Sequence, residues 1–432
     1  MEVRPGYKRT DVGVIPEDWE VRPVGTMGDV RAGKALAARG AGQQRPYLRT
    51  KNVFDGRIDL NDVLRMPMTE AEFSRYRLRH GDVLLNEGQS LELVGRCTMY
   101  KDEYPEPCAI QNQLVRFRAR DGVSAGFAAQ LFRHCQKSGV FTRIALQTTS
   151  VAHLGVSRFY RLQLAWPPEA VEQEAIAEAL SDADALVESL EQLLAKKRQL
   201  KQGAMQQLLT GNKRLPGFSG AGWIKTEIGE LPSDWRVAAI DLIAQVKTGP
   251  FGSSLHERDY VDDGTPIITV EHLGENSIIH ANLPMVSEAD RRRLNAYSLE
   301  QGDVVFSRVG SVDRNALITA AESEWLFSGR LLRVRASSRV VDTRYLSYQF
   351  HSEPFKQRVR TVAVGQTMSS LNTQILKGVL VALPTVPEQA AIAAILSDMD
   401  AEITTLEAKL AKARQLKQGM IQELLTGRIR LV

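Results

Sequence analysis

The sequence predicts an α+β protein made of two tandem halves, each a globular mixed α/β region followed by a long helix. The main observation is an internal repeat with a spacing of 216 residues, half of the 432-residue chain. Residues 198–215 and 414–431 are identical at 13 of 18 positions, and the longer stretches 172–215 and 388–431 at 28 of 44. Both copies are rich in Ala, Leu, Glu, Gln and Lys, which favour a helix.

The globular regions repeat more weakly than the helical regions. "TDVGVIPEDWEV" (10–21) and "TEIGELPSDWRV" (226–237) share Thr, Gly, Pro, Asp, Trp and Val. Further along, "HGDVLLNEGQS" (80–90) is similar to "QGDVVFSRVGS" (301–311). Alternating apolar and polar residues beside glycines predict short strands joined by turns. Each region is therefore interpreted as a mixed α/β or largely β module, with loops that differ in length between the halves.

The helical copies predict a pair of long helices. In the first copy, Ser181 and Asp182 resemble a cap between a short helix and a long one that runs to about Leu209. A long helix with an apolar seam needs a partner, and the other copy in the same chain is the simplest one. We expect an antiparallel coiled coil with a pseudo-two-fold axis; the alternative is a hairpin that only completes the packing. The predicted pairing residues are Val187, Leu190, Leu194, Leu208, Ile403, Leu406, Leu410 and Leu424.

The repeat sets the predicted domain boundaries. The first globular domain covers 1–166, and the central helical region covers 167–215. The second globular domain covers 216–383, and the C-terminal helical region covers 384–432.

Composition and charge restrict the class of protein only loosely. The net charge of +4 and the pI of about 8.9 permit nucleic-acid binding but do not establish it. The three cysteines form no CxxC pair, the first residues carry no secretory signal, and no apolar run is long enough to span a membrane. We therefore expect a cytoplasmic protein with reduced cysteines and no membrane partner.

The order of the motifs resembles that of the specificity (S) subunits of type I DNA restriction–modification systems. The matching features are "G-x-[IL]-P-x-D-W" near the start of each half, "GDVxxx", a "QT" stretch, and "EQ" after a proline where each helical region begins. "RQLKQGxxQxLLTGxxRL" closes each half, and "KTGPFGSSL" (247–255) is also typical of these modules. The first half departs from the pattern, since it has "RAGKALAARG" (31–40) at the corresponding place.

This resemblance implies a function for each part of the chain. Each globular region would be a target-recognition domain that reads one half of a bipartite, asymmetric DNA site. The helices would fix the gap between the half-sites and would dock two methylation subunits. That assembly methylates adenine with S-adenosylmethionine bound by the methylation subunit. Restriction subunits would add an ATP-dependent nuclease, so S-adenosylmethionine, ATP and magnesium would all be bound by partner subunits.

The chain itself has no sequence motif for catalysis. It has no Asn/Asp-Pro-Pro-aromatic motif for a flipped base, since its one Pro-Pro pair lies in "WPPEA" (166–170). It also has no Walker A loop and no His/Cys spacing for zinc. We expect a non-catalytic subunit without a cofactor or metal. The alternative is a nuclease site formed by scattered acidic residues.

Candidate DNA-binding residues lie in the loops that the repeat aligns. Polar and basic side chains read base edges and contact phosphates, and Gly-rich loops let the backbone approach DNA. Arg308 and Arg314 are the strongest single candidates. The first-half candidates are Asn86, Gln89, Ser90, Arg96, Gln111, Asn112, Gln113, Thr148, Thr149, Ser150 and His153. The second-half candidates are Phe251, Gly252, Ser253, Ser254, Ser307, Arg308, Ser311, Arg314, Ser328, Arg330, Gln366, Thr367 and Ser369.

A different class of function fits the same repeat. The two helical copies would dock partner proteins in a scaffold whose globular modules bind no DNA. Salt-dependent DNA affinity separates the two hypotheses, because phosphate contacts weaken steeply as salt rises.

Overall fold

A computed structural model describes residues 4–36, 40–148, 150–220, 222–250, 255–337, 339–363 and 370–431. The chain divides into two compact units. Unit 1 contains Met1–Glu191 and Ala408–Val432, and unit 2 contains Gln192–Glu407. Both long helices are shared between the units, so the boundaries of the four predicted regions stay a prediction.

The first half folds into a mixed α/β module. Its strands are β1 (Tyr7–Thr10), β2 (Gly13–Pro16), β3 (Glu20–Pro23), β4 (Gly28–Ala32), β5 (Gln43–Leu48), β6 (Val53–Phe54), β7 (Arg57–Ile58), β8 (Leu64–Met68), β9 (Val83–Asn86), β10 (Gly88–Gln89), β11 (Cys97–Met99), β12 (Ala109–Ile110), β13 (Leu114–Ala119), β14 (Leu146–Gln147), β15 (Ala152–His153) and β16 (Gln163–Trp166). Its helices are α1 (Val24–Met27), α2 (Glu70–Tyr76), α3 (Ala125–Lys137), α4 (Val140–Ile144), α5 (Val156–Arg161) and the long α6 (Ala170–Leu208).

The second half repeats this plan. Its strands are β17 (Trp223–Thr226), β18 (Gly229–Pro232), β19 (Arg236–Ala239), β20 (Ala244–Thr248), β21 (Tyr260–Val261), β22 (Thr265–Ile268), β23 (Met285–Val286), β24 (Val304–Ser307), β25 (Asn315–Leu317), β26 (Leu326–Phe327), β27 (Leu331–Ala336) and β28 (Leu380–Leu383). Its helices are α7 (Glu288–Arg293), α8 (Thr343–His351), α9 (Glu353–Ala363), α10 (Thr373–Gly378) and the long α11 (Val386–Leu424).

Each unit is organised around an antiparallel four-stranded sheet. The strand order is β11-β9-β13-β4 in unit 1, and β25-β24-β27-β20 is the corresponding order in unit 2. The buried strands β9 and β24 are apolar throughout except at their last residue, because both faces are covered. The sheet is followed by helix α3 in unit 1 and by helix α8 in unit 2. The residue that precedes each helix makes an equivalent hydrogen bond. The amide N–H of Ser124 donates to Gln173, and that of Asp342 donates to Gln389, at 2.9 Å in each case.

The long helices begin earlier than the sequence predicts. Helix α6 is continuous from Ala170 to Leu208, so the predicted cap at Ser181 and Asp182 is wrong. Ser and Asp only mildly disfavour a helix interior, and no Gly or Pro lies nearby to end the helix. Helix α11 is also 39 residues long. Its Ser397 accepts a hydrogen bond from the Tyr348 hydroxyl at 3.2 Å.

Segments of the two long helices run antiparallel within each unit. In unit 1, Asp184 and Glu191 of α6 pair with Lys417 and Arg414 of α11. In both units the residue number rises on one helix as it falls on the other, which defines the antiparallel direction. The unit 2 pairs are Lys201–Asp400 at 2.5 Å and Lys197–Glu402 at 2.6 Å.

The predicted pairing residues are all at least partly covered. Leu194, Leu208, Ile403, Leu410 and Leu424 are buried, and Val187, Leu190 and Leu406 are half-buried. Leu208 belongs to the apolar core of unit 2, and Leu424 belongs to the core of unit 1. The role of the full set as one coiled-coil seam stays a prediction. No helix in the described ranges is both long and apolar enough to cross a membrane.

Candidate nucleic-acid interface

A charged cluster, here named the clasp, ties the helices to the start of each globular region. In unit 1 the buried carboxylate of Glu172 accepts hydrogen bonds from the Trp19 indole at 3.3 Å and from Arg430 Nη2 at 2.7 Å. The same Arg430 nitrogen donates to Asp18 at 2.8 Å. This hydrogen bond from Arg430 is the main reason that the pKa of Asp18 lies below its usual value. The clasp supplies the charged partners that a buried carboxylate requires.

Unit 2 contains a clasp of the same residue types. Glu388 accepts from the Trp235 indole at 3.2 Å and from Arg214 Nη2 at 2.8 Å. Arg214 also donates to Asp234 at 2.9 Å, and that hydrogen bond lowers the pKa of Asp234. All four positions lie 216 residues from their counterparts in unit 1. The clasp is therefore equivalent in the two units, whereas their loops differ.

In unit 1 the predicted loops converge at one end of the central sheet. The Asn86 N–H donates to the Arg96 carbonyl at 2.9 Å, which closes the loop between β9 and β11. The Glu87 N–H donates to Gln113 at 2.8 Å, and the Leu154 N–H donates to Glu87 at 2.8 Å. Three segments that are distant in sequence thus meet at the residue that follows β9.

Unit 2 brings its loops together with the same backbone hydrogen bonds. The Ser307 N–H donates to Arg314, and the Arg308 N–H donates to Arg330, both at 2.9 Å. The Leu371 N–H donates to the Arg308 carbonyl at 2.8 Å. This equivalence pairs Asn86 with Ser307, Glu87 with Arg308, Arg96 with Arg314 and Gln113 with Arg330. The charge of the residue after the buried strand is therefore opposite in the two units.

The candidates differ in how far their side chains are available. Asn86 and Ser307 are buried and bond inside the protein: the Asn86 amide donates to Val53 at 3.3 Å, and the Ser307 hydroxyl donates to Val309 at 2.8 Å. Gln111 is also buried. Half-buried candidates are Gln89, Arg96, His153, Arg308 and Ser328. Exposed candidates are Ser90, Asn112, Gln113, Thr148, Ser150, Ser311, Arg314 and Arg330.

Some predicted residues lie outside the described residues. They are Thr149, Phe251, Gly252, Ser253, Ser254, Gln366, Thr367 and Ser369. For all of the candidates, contact with DNA stays a prediction.

Two candidates in unit 1 are held in position by side chains that the sequence did not single out. Glu87 Oε2 lies 2.9 Å from His153 Nδ1, and Arg158 donates to the His153 carbonyl at 2.7 Å. Arg96 lies over the Phe54 ring, with its guanidinium carbon 4.6 Å from the ring centroid. In unit 2 the equivalent Arg314 donates to the Leu273 carbonyl instead. Sequence reasoning missed Phe54 because the repeat places Gly274 at that position.

The clasp was also missed, although the repeat contains a signal for it. Glu172 lies near the start of α6 and Arg214 lies just after its end, so more than about 50 Å of helix separates them. Partners from the same copy are therefore too far apart to pair. Within the described ranges, no group of three or more His, Cys, Asp or Glu residues is placed to hold a metal ion.

Comparison with known proteins shows which proteins this chain is similar to. Residues 232–415 match the family model described as "Type I restriction modification DNA specificity domain". The chain is similar to the specificity subunits of type I restriction–modification systems, as its sequence predicts. It is 24% identical to a specificity subunit assigned to the type I restriction enzyme MjaX of Methanocaldococcus jannaschii, over 98% of this chain and 97% of that protein. It is 22% identical to the type I restriction enzyme EcoKI specificity subunit of Escherichia coli, over 96% and 90% of the two chains.

Solved structures agree on the fold. The crystal structure of a type I restriction–modification S subunit from M. genitalium matches with a TM-score of 0.60 at 13% identity, and the match covers 98% of both chains. A chain from a study of complex assembly and conformational transition of the type I system matches with a TM-score of 0.52 at 15% identity, covering 96% of this chain and 99% of that one. The predicted resemblance to type I specificity subunits is thus confirmed, and the predicted mixed α/β fold is confirmed at this level.

Proposed function

We propose that this specificity subunit reads a bipartite, asymmetric DNA site, with one half-site for each globular region. The observation that carries the proposal is the contrast within each unit. The clasp and central sheet are equivalent in both, while the loops that converge after β9 and β24 carry different side chains. Two globular regions that share an equivalent clasp but carry different loops are suited to two unlike half-sites.

The loop chemistry supports base reading that differs between the halves. The second half places Arg308, Arg314 and Arg330 around one loop junction, and arginine is suited to the acceptor edge of guanine. The first half places Asn112 and Gln113 beside the Glu87–His153 pair, which is a more polar and less basic set. Each well-placed bidentate contact contributes about 1–3 kcal/mol of discrimination against the wrong base.

The paired helices would fix the gap between half-sites and dock two methylation subunits. Each long helix has 39 residues, which corresponds to about 58 Å at about 1.5 Å per residue. A helix of this length is suited to serve as a spacer along a duplex. The relative named above from a study of complex assembly belongs to a type I system, which favours partner subunits for this chain as well.

The chain would act without catalysing a reaction. S-adenosylmethionine would bind to the methylation subunits, and ATP and magnesium to restriction subunits where these are present. The protein would work in the cytoplasm, where its DNA is found.

Exchange of one globular region tests the proposal. Residues 217–382 are replaced by the corresponding region of a relative with a different target, and the chain is assembled with methylation subunits. Nuclease protection of random duplexes then gives the sequence that is bound. The expected result is a change in one half-site, with the other half-site and the gap unchanged. A change in both half-sites, or in neither, contradicts the proposal. Absence of salt-dependent DNA affinity in the assembled complex would favour the scaffold hypothesis.

An insertion tests the spacing role separately. Four residues, about one helical turn, are added after the exposed Ala195 in α6. The gap between protected half-sites is expected to lengthen while both half-sites stay the same. An unchanged gap contradicts the spacing role and leaves the reading role intact.

A further inference from the structure

The first half carries a pair of arginines on one aromatic ring, and only one of them, Arg96, is among the predicted DNA-binding residues. The hairpin of β6 and β7 places Phe54 opposite Arg57, and the loop that precedes β11 brings Arg96 to the same ring. Both guanidinium carbons lie 4.6 Å from the Phe54 ring centroid. Two positive charges are thus held against one aromatic side chain.

The neighbouring carboxylate is already used by other cations. Asp55, the next residue in the hairpin, accepts from Arg133 at 2.7 Å and pairs with Lys137 at 2.7 Å. Within the described ranges, neither Arg57 nor Arg96 has a carboxylate at ion-pair distance. The Nε–H of Arg96 is buried and has no acceptor there. Burial lowers the pKa of Arg96, Asp55 opposes this, and the charge of Arg57 adds to the lowering.

This arrangement leaves donors available for an external anion. Stacking uses the flat face of a guanidinium, while its N–H groups point outward in the plane of the group. The ring therefore holds both guanidiniums close to it but supplies no oxygen acceptor for their N–H groups. Anionic oxygens at the exposed N–H groups of these arginines would reduce the repulsion of the two charges.

The second half lacks this pair. The equivalent hairpin has Gly274 in place of Phe54 and Ser277 in place of Arg57. Arg314, the equivalent of Arg96, donates to the Leu273 carbonyl. The feature is therefore confined to one half and is not part of the shared frame.

We infer that Arg57 and Arg96, stacked on Phe54, form a phosphodiester clamp that grips the DNA backbone beside the first half-site. The clamp is continuous with the converging loops, because Arg96 closes the loop that begins at Asn86. A phosphate contact carries no sequence information but fixes the register of the reader on the duplex. The inference rests on the proposed function and assigns a backbone-gripping role to one half alone.

Salt titration of DNA binding tests the clamp. The probe is the cognate duplex with the whole chain assembled with methylation subunits, and Arg57→Gln is the main variant because Arg57 is exposed. Loss of one phosphate contact should reduce the slope of log K against log salt by about 0.9. The bound sequence should stay the same. The control is Arg236→Gln, an exposed arginine of β19, for which an unchanged slope is expected.

A neutral linkage locates the contact. Methylphosphonates are placed one at a time along each strand beside the first half-site. At the gripped position, the linkage should weaken the unaltered complex more than it weakens the Arg57→Gln complex, in which Arg96 alone remains. An unchanged slope for Arg57→Gln overturns the clamp, as does an altered base preference or a loss confined to binding of the methylation subunit. If the unaltered complex shows no sequence-specific binding, the proposed function fails instead.

Discussion

The two units differ in the residue that faces the hairpin from an equivalent helix. Helices α3 and α8 are equivalent, and the residue nine positions after their N-caps is Arg133 in unit 1 and His351 in unit 2. Arg133 pairs with Asp55 of the hairpin and with Asp184 of α6, at 2.7 and 2.6 Å. In unit 2 a cavity of about 390 Å³ lies between His351 and Glu275, the equivalent of Asp55.

This difference shows which parts of the frame the two halves keep. The clasp and the backbone bonds around the central sheet are the same, so they define the module. An ion-paired arginine links the helix to the hairpin in one unit, whereas a cavity is lined by both elements in the other. The module therefore tolerates change directly beside its converging loops, which is where new specificity would be needed.

The largest expected effect comes from the clasp. Arg430→Ala leaves Glu172 buried without its cation, and Arg214→Ala does the same to Glu388. Each change should destabilise its own unit by about 3–5 kcal/mol, the usual cost of an uncompensated buried charge. Hydrogen exchange resolved along the chain measures which unit loses protection.

The matched control is Arg428→Ala, since Arg428 is exposed and lies two residues from Arg430. Only a small change is expected from it. Equal loss of protection in both units after Arg430→Ala would mean that the clasps do not act separately.

The next largest effect is a loss of stability at acidic pH. Burial, with smaller contributions from Lys356 and Lys201, lowers the pKa of His351 to about 3. The unfolded chain has the ordinary histidine value of about 6.5, so between these values only the unfolded state takes the proton. Stability from this group is therefore complete above about pH 6.5 and falls below it, by at most about 1.4 kcal/mol per pH unit.

Denaturant unfolding between pH 7.5 and 5 measures this slope. His351→Gln should flatten it for unit 2, whereas substitution of the exposed His80 should not. Arg133 stays charged throughout this range, so no matching contribution is expected at its position. A slope that is the same with and without His351 contradicts the assignment.

The smallest effect compares two equivalent lysines. Lys417 pairs with Asp184, which also accepts from Arg133 and Gln130. Lys201 pairs with Asp400, which otherwise accepts from the Tyr348 hydroxyl at 2.7 Å. Lys201→Ala should therefore cost about 1 kcal/mol, and Lys417→Ala should cost less because two donors remain. Thermal unfolding of the two variants measures the difference, and the opposite order would contradict this account.

Sequence alone predicted the repeat, the long helices and the segments that converge, because each of these leaves a periodic or repeated pattern. It placed a helix end at Ser181 where α6 continues, because a cap residue and a tolerated interior residue look alike in sequence. It did not find the clasp partners, since the choice between Arg214 and Arg430 for Glu172 depends on helix length and direction. Phe54 and Arg57 were missed because they depart from the repeat, and the repeat was the guide.

We propose that two unlike globular regions read one DNA site with a fixed gap. Sequencing of methylated positions in DNA from cells that contain this chain with its methylation partner tests this proposal. We expect methylated adenines in two short, different sequence elements separated by a gap of constant length. A single continuous methylated sequence, or a methylation pattern that is the same without this chain, would contradict it.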